Sequence, residues 1–218
     1  MGLELAEQFN WELPDVILYP TGGGTALIAM WKAFKELREM GFLTSETMPR
    51  MYAVQSDGCQ PMVTAFEAGE RFATRHENAK TIASGMRVPT ALGDFMVLDT
   101  VRESGGAAIA VEEGRLIEFQ KSVAVAEGLM ICPEAATCVG GLEKLIAERK
   151  VSADERVVIF NTAAGQKYFG SGAALDVPMI DLNEPTDWDE FEAKYFSSPK
   201  QTISKSHIDS DSLTRSKS

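Results

Sequence analysis

A chain of 218 residues with 44% hydrophobic and 24% charged content has the composition of an ordinary water-soluble globular protein. At this length it buries about 70% of its unfolded surface, enough for a real core. Its formal net charge of −11 repels a phosphodiester backbone, so generic nucleic-acid binding is disfavoured, whereas a small anion held by local backbone amides is not.

No apolar run reaches the ~18 residues of a membrane span. The N-terminal MGLELAEQFNWELPD carries acids where a secretion signal carries bases, so the expected location is the cytoplasm. Cys59, Cys132 and Cys138 show no CxxC spacing and read as reduced thiols, not as a disulfide framework or a metal site. The two histidines, His76 and His207, stand in no triad-like or metal-binding context.

In chain order, Leu3 to Phe9 reads as a helix end, with Leu3, Ala6 and Phe9 on one face. Val16 to Tyr19 is a short buried strand. Thr25 to Met40 is a helix whose stripe Leu27, Met30, Trp31, Phe34 and Leu37 recurs at 3–4 spacing, and Gly41 ends it. Met51 to Gln55 is a second strand, followed by a helical Pro61 to Ala68 and a helix from Thr90 to Glu103. Ala107 to Val111 is a third strand; a helix or loop follows over Gly114 to Ala126. Ala135 to Lys150 is a helix despite Gly140 and Gly141, and Arg156 to Phe160 is a last strand. Strands alternating with helices across Gly-rich joints imply an α/β fold, a mainly parallel twisted sheet flanked by helices. Residues 1–182 form the ordered body, and 183–218, acidic and then Ser-rich, read as a disordered tail.

The informative stretch is VILYPTGGGTALIAMWKAF, where a buried strand ends in three glycines and opens a helix. Gly22, Gly23 and Gly24 permit positive φ and close backbone approach. Their amides and the helix N-terminus favour an anion, and Thr21 and Thr25 add hydroxyls. A Walker loop, which needs a lysine after its glycines, is disfavoured because none follows here. A dinucleotide fingerprint fits poorly, because its third glycine position is Leu27 and no acid lies at the ribose spacing. A single phosphate monoester, as on pyridoxal phosphate, needs only such a compact nest.

The segments PDVILYPTGGGTALIAMWKAF, RMYAVQSDGCQPMVTAFEAG, TIASGMRVPTALGDFMVLDTVRESGGAAIAV, EGLMICPEAATCVGGLEKL and VVIFNTAAGQKY resemble, in order from about Leu3 to Tyr168, threonine synthases, pyridoxal-phosphate enzymes of fold type II. The resemblance implies that Gly22, Gly23, Gly24 and Thr25 cradle the cofactor phosphate. It implies that Thr162 meets the pyridine nitrogen through a neutral hydroxyl and that Ser84, Gly85 and Met86 lie beside the ring. Arg87 is a candidate contact for the substrate. The implied reaction converts O-phospho-L-homoserine and water to L-threonine and phosphate.

The resemblance also implies a Schiff-base lysine upstream of the glycine loop, where this chain has none. Lys32 and Lys35 sit on the solvent side of the helix after the loop, and Lys167 matches a different family position. The chain therefore looks like a C-terminal portion, expected to be inactive alone, with a homodimer or a complementing N-terminal part as the expected partner. Trp31, Met30 and Phe95 are candidates for the apolar surface such a truncation uncovers. The alternatives are a non-catalytic or partner-completed cofactor- or phosphate-binding module and a threonine or serine dehydratase. A Rossmann oxidoreductase is more remote.

Overall fold

The computed structural model describes residues 1–168, 180, 183 and 185–195. The chain divides into two compact units, Met1–Ala174 and Leu175–Ser218. In the first unit the elements run α1 (Gly2–Gln8), β1 (Val16–Pro20), α2 (Thr25–Glu39), β2 (Arg50–Ser56), α3 (Pro61–Glu67), α4 (Asp94–Glu103), β3 (Ala107–Val111), α5 (Leu116–Glu127), α6 (Pro133–Ala147) and β4 (Val157–Ile159).

The four strands form one sheet in the order β3-β2-β1-β4, with every neighbouring pair parallel. Parallel strands need crossovers, and the crossovers place helices on both faces. Side-chain alternation along the strands divides the core accordingly. Ile17, Met51 and Ala53 face α1 to α4, where Leu27, Met30, Phe34, Val97 and Leu98 pack. Val16, Leu18, Tyr52 and Val54 face the opposite layer, with Phe119, Ala135 and Leu145 of α5 and α6. Both faces being covered explains why VILY and MYAV read as continuous apolar runs. Full burial of Phe34, at 0% exposure, contributes roughly 1.5–3 kcal/mol.

Glycines set one close approach and one helix end. A Cβ on Gly140 would lie 2.5 Å from Phe119 Cε2 and 2.7 Å from Val111 Cγ1. The glycine pair that lowers helix propensity in α6 is thus what lets α6 lie flat on α5 and the sheet. At the end of α2, Gly41 takes φ +73, the left-handed turn that closes a helix.

Several expected boundaries move. The helix expected from Thr90 begins at Asp94, whose carboxylate accepts the Phe95 and Ala73 amides, each at 2.7 Å. That carboxylate satisfies a helix-start donor, and the preceding Pro89–Gly93 stretch runs as a bend and a turn rather than as helix. The 114–126 segment, open between helix and loop, is helix α5 after a single 3₁₀ turn, Glu113–Arg115. Met30 and Trp31, candidates for uncovered surface, are instead core residues at 1% and 6% exposure. Trp31 is fixed there by its Nε1 donating to Glu103 Oε2 at 2.9 Å. Phe95 is half-buried, its ring 5.8 Å from that of Phe72.

In the second unit, within the stretch expected to be disordered, Trp188–Tyr195 forms a helix, α7. The Asp187 carboxylate caps it by accepting the amides of Asp189 and Glu190 at 3.0 and 3.1 Å. Residues 196–218, including His207 and the Ser-rich end, lie outside the described residues.

Candidate functional site

The strand order fixes where a ligand site belongs. The chain steps outward from β1 to β2 to β3 and then returns to place β4 on the other side of β1. The crossover leaving β1 runs through α2 on one face and the chain reaches β4 through α6 on the other, so a crevice opens beyond the carboxyl ends of these two strands, the position where open α/β sheets bind ligands. A cavity of about 410 Å³ occupies it, within the range of small-molecule sites.

One wall is the glycine loop. Gly22, Gly23, Gly24, Thr25 and Ala26 all line the cavity. Among the described residues none of their backbone amides donates a hydrogen bond, although Gly22 and Gly24 are buried. Buried amides without partners are rare in native proteins. A run of unpartnered amides at a helix start, two of them on buried glycines, has the make-up of an anion nest, on the positive end of the α2 dipole. Gly24 is required by contact as well as by conformation. Gly24 adopts φ +78, and a Cβ there would sit 2.1 Å from Val97 Cγ2.

The facing wall is a single 3₁₀ turn, Ser84–Met86. Gly85 and Met86 line the cavity. Ser84 stands next to the Tyr168 hydroxyl, which burial first, and then the neighbouring Glu134 carboxyl, pushes well above the usual phenol range. The third wall follows β4 and includes Thr162, Ala163 and Tyr168. Thr162 Oγ1 lies 3.8 Å from Cys132 Sγ. The expected site residues Gly22, Gly23, Gly24, Thr25, Gly85, Met86 and Thr162 therefore converge on one cavity.

Three expected residues do not: Ser84, although its turn neighbours Gly85 and Met86 do, Thr21 and Arg87. Thr21 is fully buried, and its hydroxyl donates to the Tyr19 carbonyl at 2.8 Å instead of facing the cavity. Arg87 is exposed and absent from the wall. Its charge acts on the Cys59 thiol, which burial pushes upward against the opposing pull of the Val88 backbone and Arg87. Lys32 pairs with Glu36, and Lys35 lies 3.1 Å from Glu103, as expected of solvent-side residues. No lysine lines the cavity among the described residues.

The sequence signal missed Glu134. It follows Pro133 at the start of α6, where an acid is unremarkable because it complements the helix dipole. Yet it is 4% exposed, lines the cavity, and accepts the Gly85 amide on Oε1 at 2.8 Å. A buried acid in an otherwise apolar helix start, CPEAATCVGG, was the available hint.

Residues 1–163 match the family described as pyridoxal-phosphate dependent enzyme. The chain is 34% identical over 167 residues to a threonine synthase of Methanocaldococcus jannaschii, covering 77% of this chain and 41% of that protein. It is 33% identical to a threonine synthase of Methanosarcina acetivorans over 74% of this chain and 40% of the relative. A cysteate synthase of Methanococcoides burtonii is 26% identical over 71% of the chain and 37% of its own length. The chain thus spans about two fifths of the length of the curated relatives it matches. Among solved structures, threonine deaminase isoform 2 of Solanum lycopersicum superposes with TM-score 0.59 at 16% identity, covering 78% of this chain and 47% of that one. Maize serine racemase gives 0.54 at 21%, covering 77% and 48%. At these identities the structural likeness concerns the fold, which is that of fold type II.

Proposed function

This chain belongs to the pyridoxal-phosphate dependent enzymes, in the part of the family that resembles threonine synthases, and on that premise we propose that it forms the phosphate-seating side of a pyridoxal 5'-phosphate site in a threonine synthase-like lyase. The observation that supports it is the run of unpartnered amides from Gly22 to Ala26 in the wall of the switch-point cavity. The residues fit the group. A phosphate monoester supplies the acceptors those amides lack, and the bare Gly23, with nothing within 4 Å of its Cβ position, leaves it room. When bound, the cofactor supplies an electron sink for chemistry next to a substrate's amino-bearing carbon.

The chain's own residues bind and orient. The loop amides and Thr25 hold the phosphate, the Ser84–Met86 turn closes one side, and the Thr162 hydroxyl serves the ring nitrogen. The proposed reaction takes O-phospho-L-homoserine and water to L-threonine and phosphate. The lysine that anchors the cofactor and moves protons comes from a complementing part, an N-terminal segment or second chain, because the described cavity wall supplies none. Alone, this chain binds the cofactor without covalent attachment and does not turn over substrate.

A second reading, a threonine or serine dehydratase-like lyase, draws on one observation: the described wall holds no cationic side chain for a substrate's own phosphate.

Calorimetry with pyridoxal phosphate and with pyridoxal tests the binding reading. The phosphate ester binds and the free vitamer binds at least tenfold more weakly, about 1.4 kcal/mol; equal affinities contradict it. Borohydride leaves the bound cofactor unattached to the chain. After complementation with a lysine-bearing part, release of phosphate from phosphohomoserine supports the synthase, and a 2-oxo acid from free threonine supports the dehydratase.

A further inference from the structure

Gly85 stands between two walls of the cavity. Its carbonyl oxygen lies 2.6 Å from the Cβ position of Gly22 in the glycine loop, and its amide donates to Glu134 Oε1 at 2.8 Å. The Glu134 carboxyl also receives the Tyr168 hydroxyl, to which Ser84 is hydrogen-bonded in turn. One carboxyl thus ties together three segments: the Ser84–Met86 turn, the start of α6, and the Gly165–Tyr168 turn that follows β4. Gly85, Met86, Glu134 and Tyr168 all line the cavity.

The tie is built on a fixed support. Glu134 is 4% exposed, and a buried acid is costly unless donors meet it; here a backbone amide and a phenol do. Pro133 opens α6, Cys132 Sγ caps it by accepting the Ala135 amide at 3.4 Å, and Thr137 Oγ1 donates to the Glu134 carbonyl at 2.6 Å. Ahead of the turn, Glu113 Oε1 accepts the Ile82 amide at 2.6 Å; at the cavity itself the turn is held by Glu134. The glycine loop is anchored separately. The Thr21 amide donates to the Val54 carbonyl at 2.8 Å, and Gln55 Nε2 donates to the Thr21 carbonyl at 3.0 Å. The turn can therefore shift against the loop without unseating the loop.

On the phosphate reading of the glycine loop, we propose that Glu134 is a positioning residue that sets the Ser84–Met86 turn and Tyr168 against that loop, and so governs affinity for the ring of a bound phosphate ester while leaving the phosphate seat unchanged. Replacing the carboxyl by a neutral group leaves the Gly85 amide and the Tyr168 hydroxyl competing for one weaker acceptor in a buried place. An effect of roughly tenfold on the ester is expected.

Two probes separate the two parts of the site: pyridoxal 5'-phosphate, which needs both, and inorganic phosphate, which needs the seat alone. Amide NMR titration gives their dissociation constants on the unmodified chain and on two variants. Glu134→Gln keeps the side-chain volume but offers one neutral acceptor oxygen. Tyr168→Phe keeps the ring and removes the hydroxyl. Glu134→Gln should weaken the ester about tenfold and Tyr168→Phe about threefold, with inorganic phosphate held within about twofold in both. The double variant should be no weaker than Glu134→Gln alone, because the two side chains act through one contact. A merely structural role would lower both affinities together, so equal weakening of ester and inorganic phosphate overturns the proposal. An unchanged ester affinity in folded Glu134→Gln or in Tyr168→Phe overturns it too. If Glu134→Gln does not fold, Tyr168→Phe decides by the same ratio. Inorganic phosphate that moves none of the Gly22, Gly23 and Gly24 amides in the unmodified chain contradicts the phosphate reading, and the proposal falls with it.

Discussion

The carbonyl oxygen of Gly85 occupies the place where Gly22 would carry a side chain, 2.6 Å from the Cβ position. Two loops far apart in sequence thus approach backbone to backbone, which the bare Gly22 permits, while the Cβ position of Gly85 faces Glu134 Oε1 instead, at 3.1 Å. Substituting Gly22→Ala forces the Ser84–Met86 turn away from the glycine loop. The expected cost is about 1–3 kcal/mol, as for other overpacked sites, read from urea denaturation. Pyridoxal phosphate affinity should fall with it.

Within the loop, two adjacent glycines should respond differently. Gly24 has φ +78, and its missing Cβ would strike Val97 Cγ2 at 2.1 Å; Gly23 meets nothing within 4 Å. Gly24→Ala should cost about 2 kcal/mol or more, from the left-handed backbone and the clash together. Gly23→Ala should stay within about 0.5 kcal/mol of the unmodified chain, as a surface change does. Paired denaturation curves check both.

Gly140→Ala tests the packing of α6. Helix propensity gains about 1 kcal/mol, but the new methyl meets Phe119 Cε2 at 2.5 Å and Val111 Cγ1 at 2.7 Å. Overpacking of about 1–3 kcal/mol wins, so the variant melts lower. Combining it with Phe119→Leu should recover part of the loss, a coupling that a double-mutant cycle measures.

The expected glycine-loop site and the strand–helix order were legible because both rest on short-range rules. A buried strand running into consecutive glycines and then a 3–4 apolar stripe leaves few alternatives, and Val16–Pro20 and Thr25–Glu39 follow closely. What the sequence hid was set by distant contacts. Trp31 looked like surface once a missing half was assumed, but its burial depends on Glu103, 72 positions away. Thr21 looked like a ligand hydroxyl, but it donates its hydrogen bond to the Tyr19 carbonyl. Glu134 looked like a helix-dipole acid, and only the fold brings it to Gly85, 49 positions earlier. The α7 helix escaped notice because its acidic, capped octet lies in a stretch whose composition reads as solvated.

Acid should weaken the α2–α4 contact in a specific way. The Trp31 indole N–H, and after the opposing effect of burial the Lys35 ammonium, hold Glu103 below the usual carboxylate range. A depressed folded pKa gives stability that is present above the unfolded value, about 4.3, and is lost as pH falls through the folded value. The Glu103 side chain is 51% exposed, so solvent screening keeps the effect small. Melting temperature should decline on going from about pH 5 toward pH 3, and Trp31→Phe should flatten part of that decline. An identical acid profile in the variant contradicts the assignment.

Backbone amide NMR gives the most direct reading of the glycine loop. On titration with pyridoxal 5'-phosphate, the amide resonances of Gly22, Gly23 and Gly24 should shift with the bound fraction, inorganic phosphate should displace them along the same path, and pyridoxal should leave them nearly still. Loop amides that stay unmoved while the ester binds elsewhere, or that respond equally to pyridoxal, would contradict a phosphate seat at the end of β1.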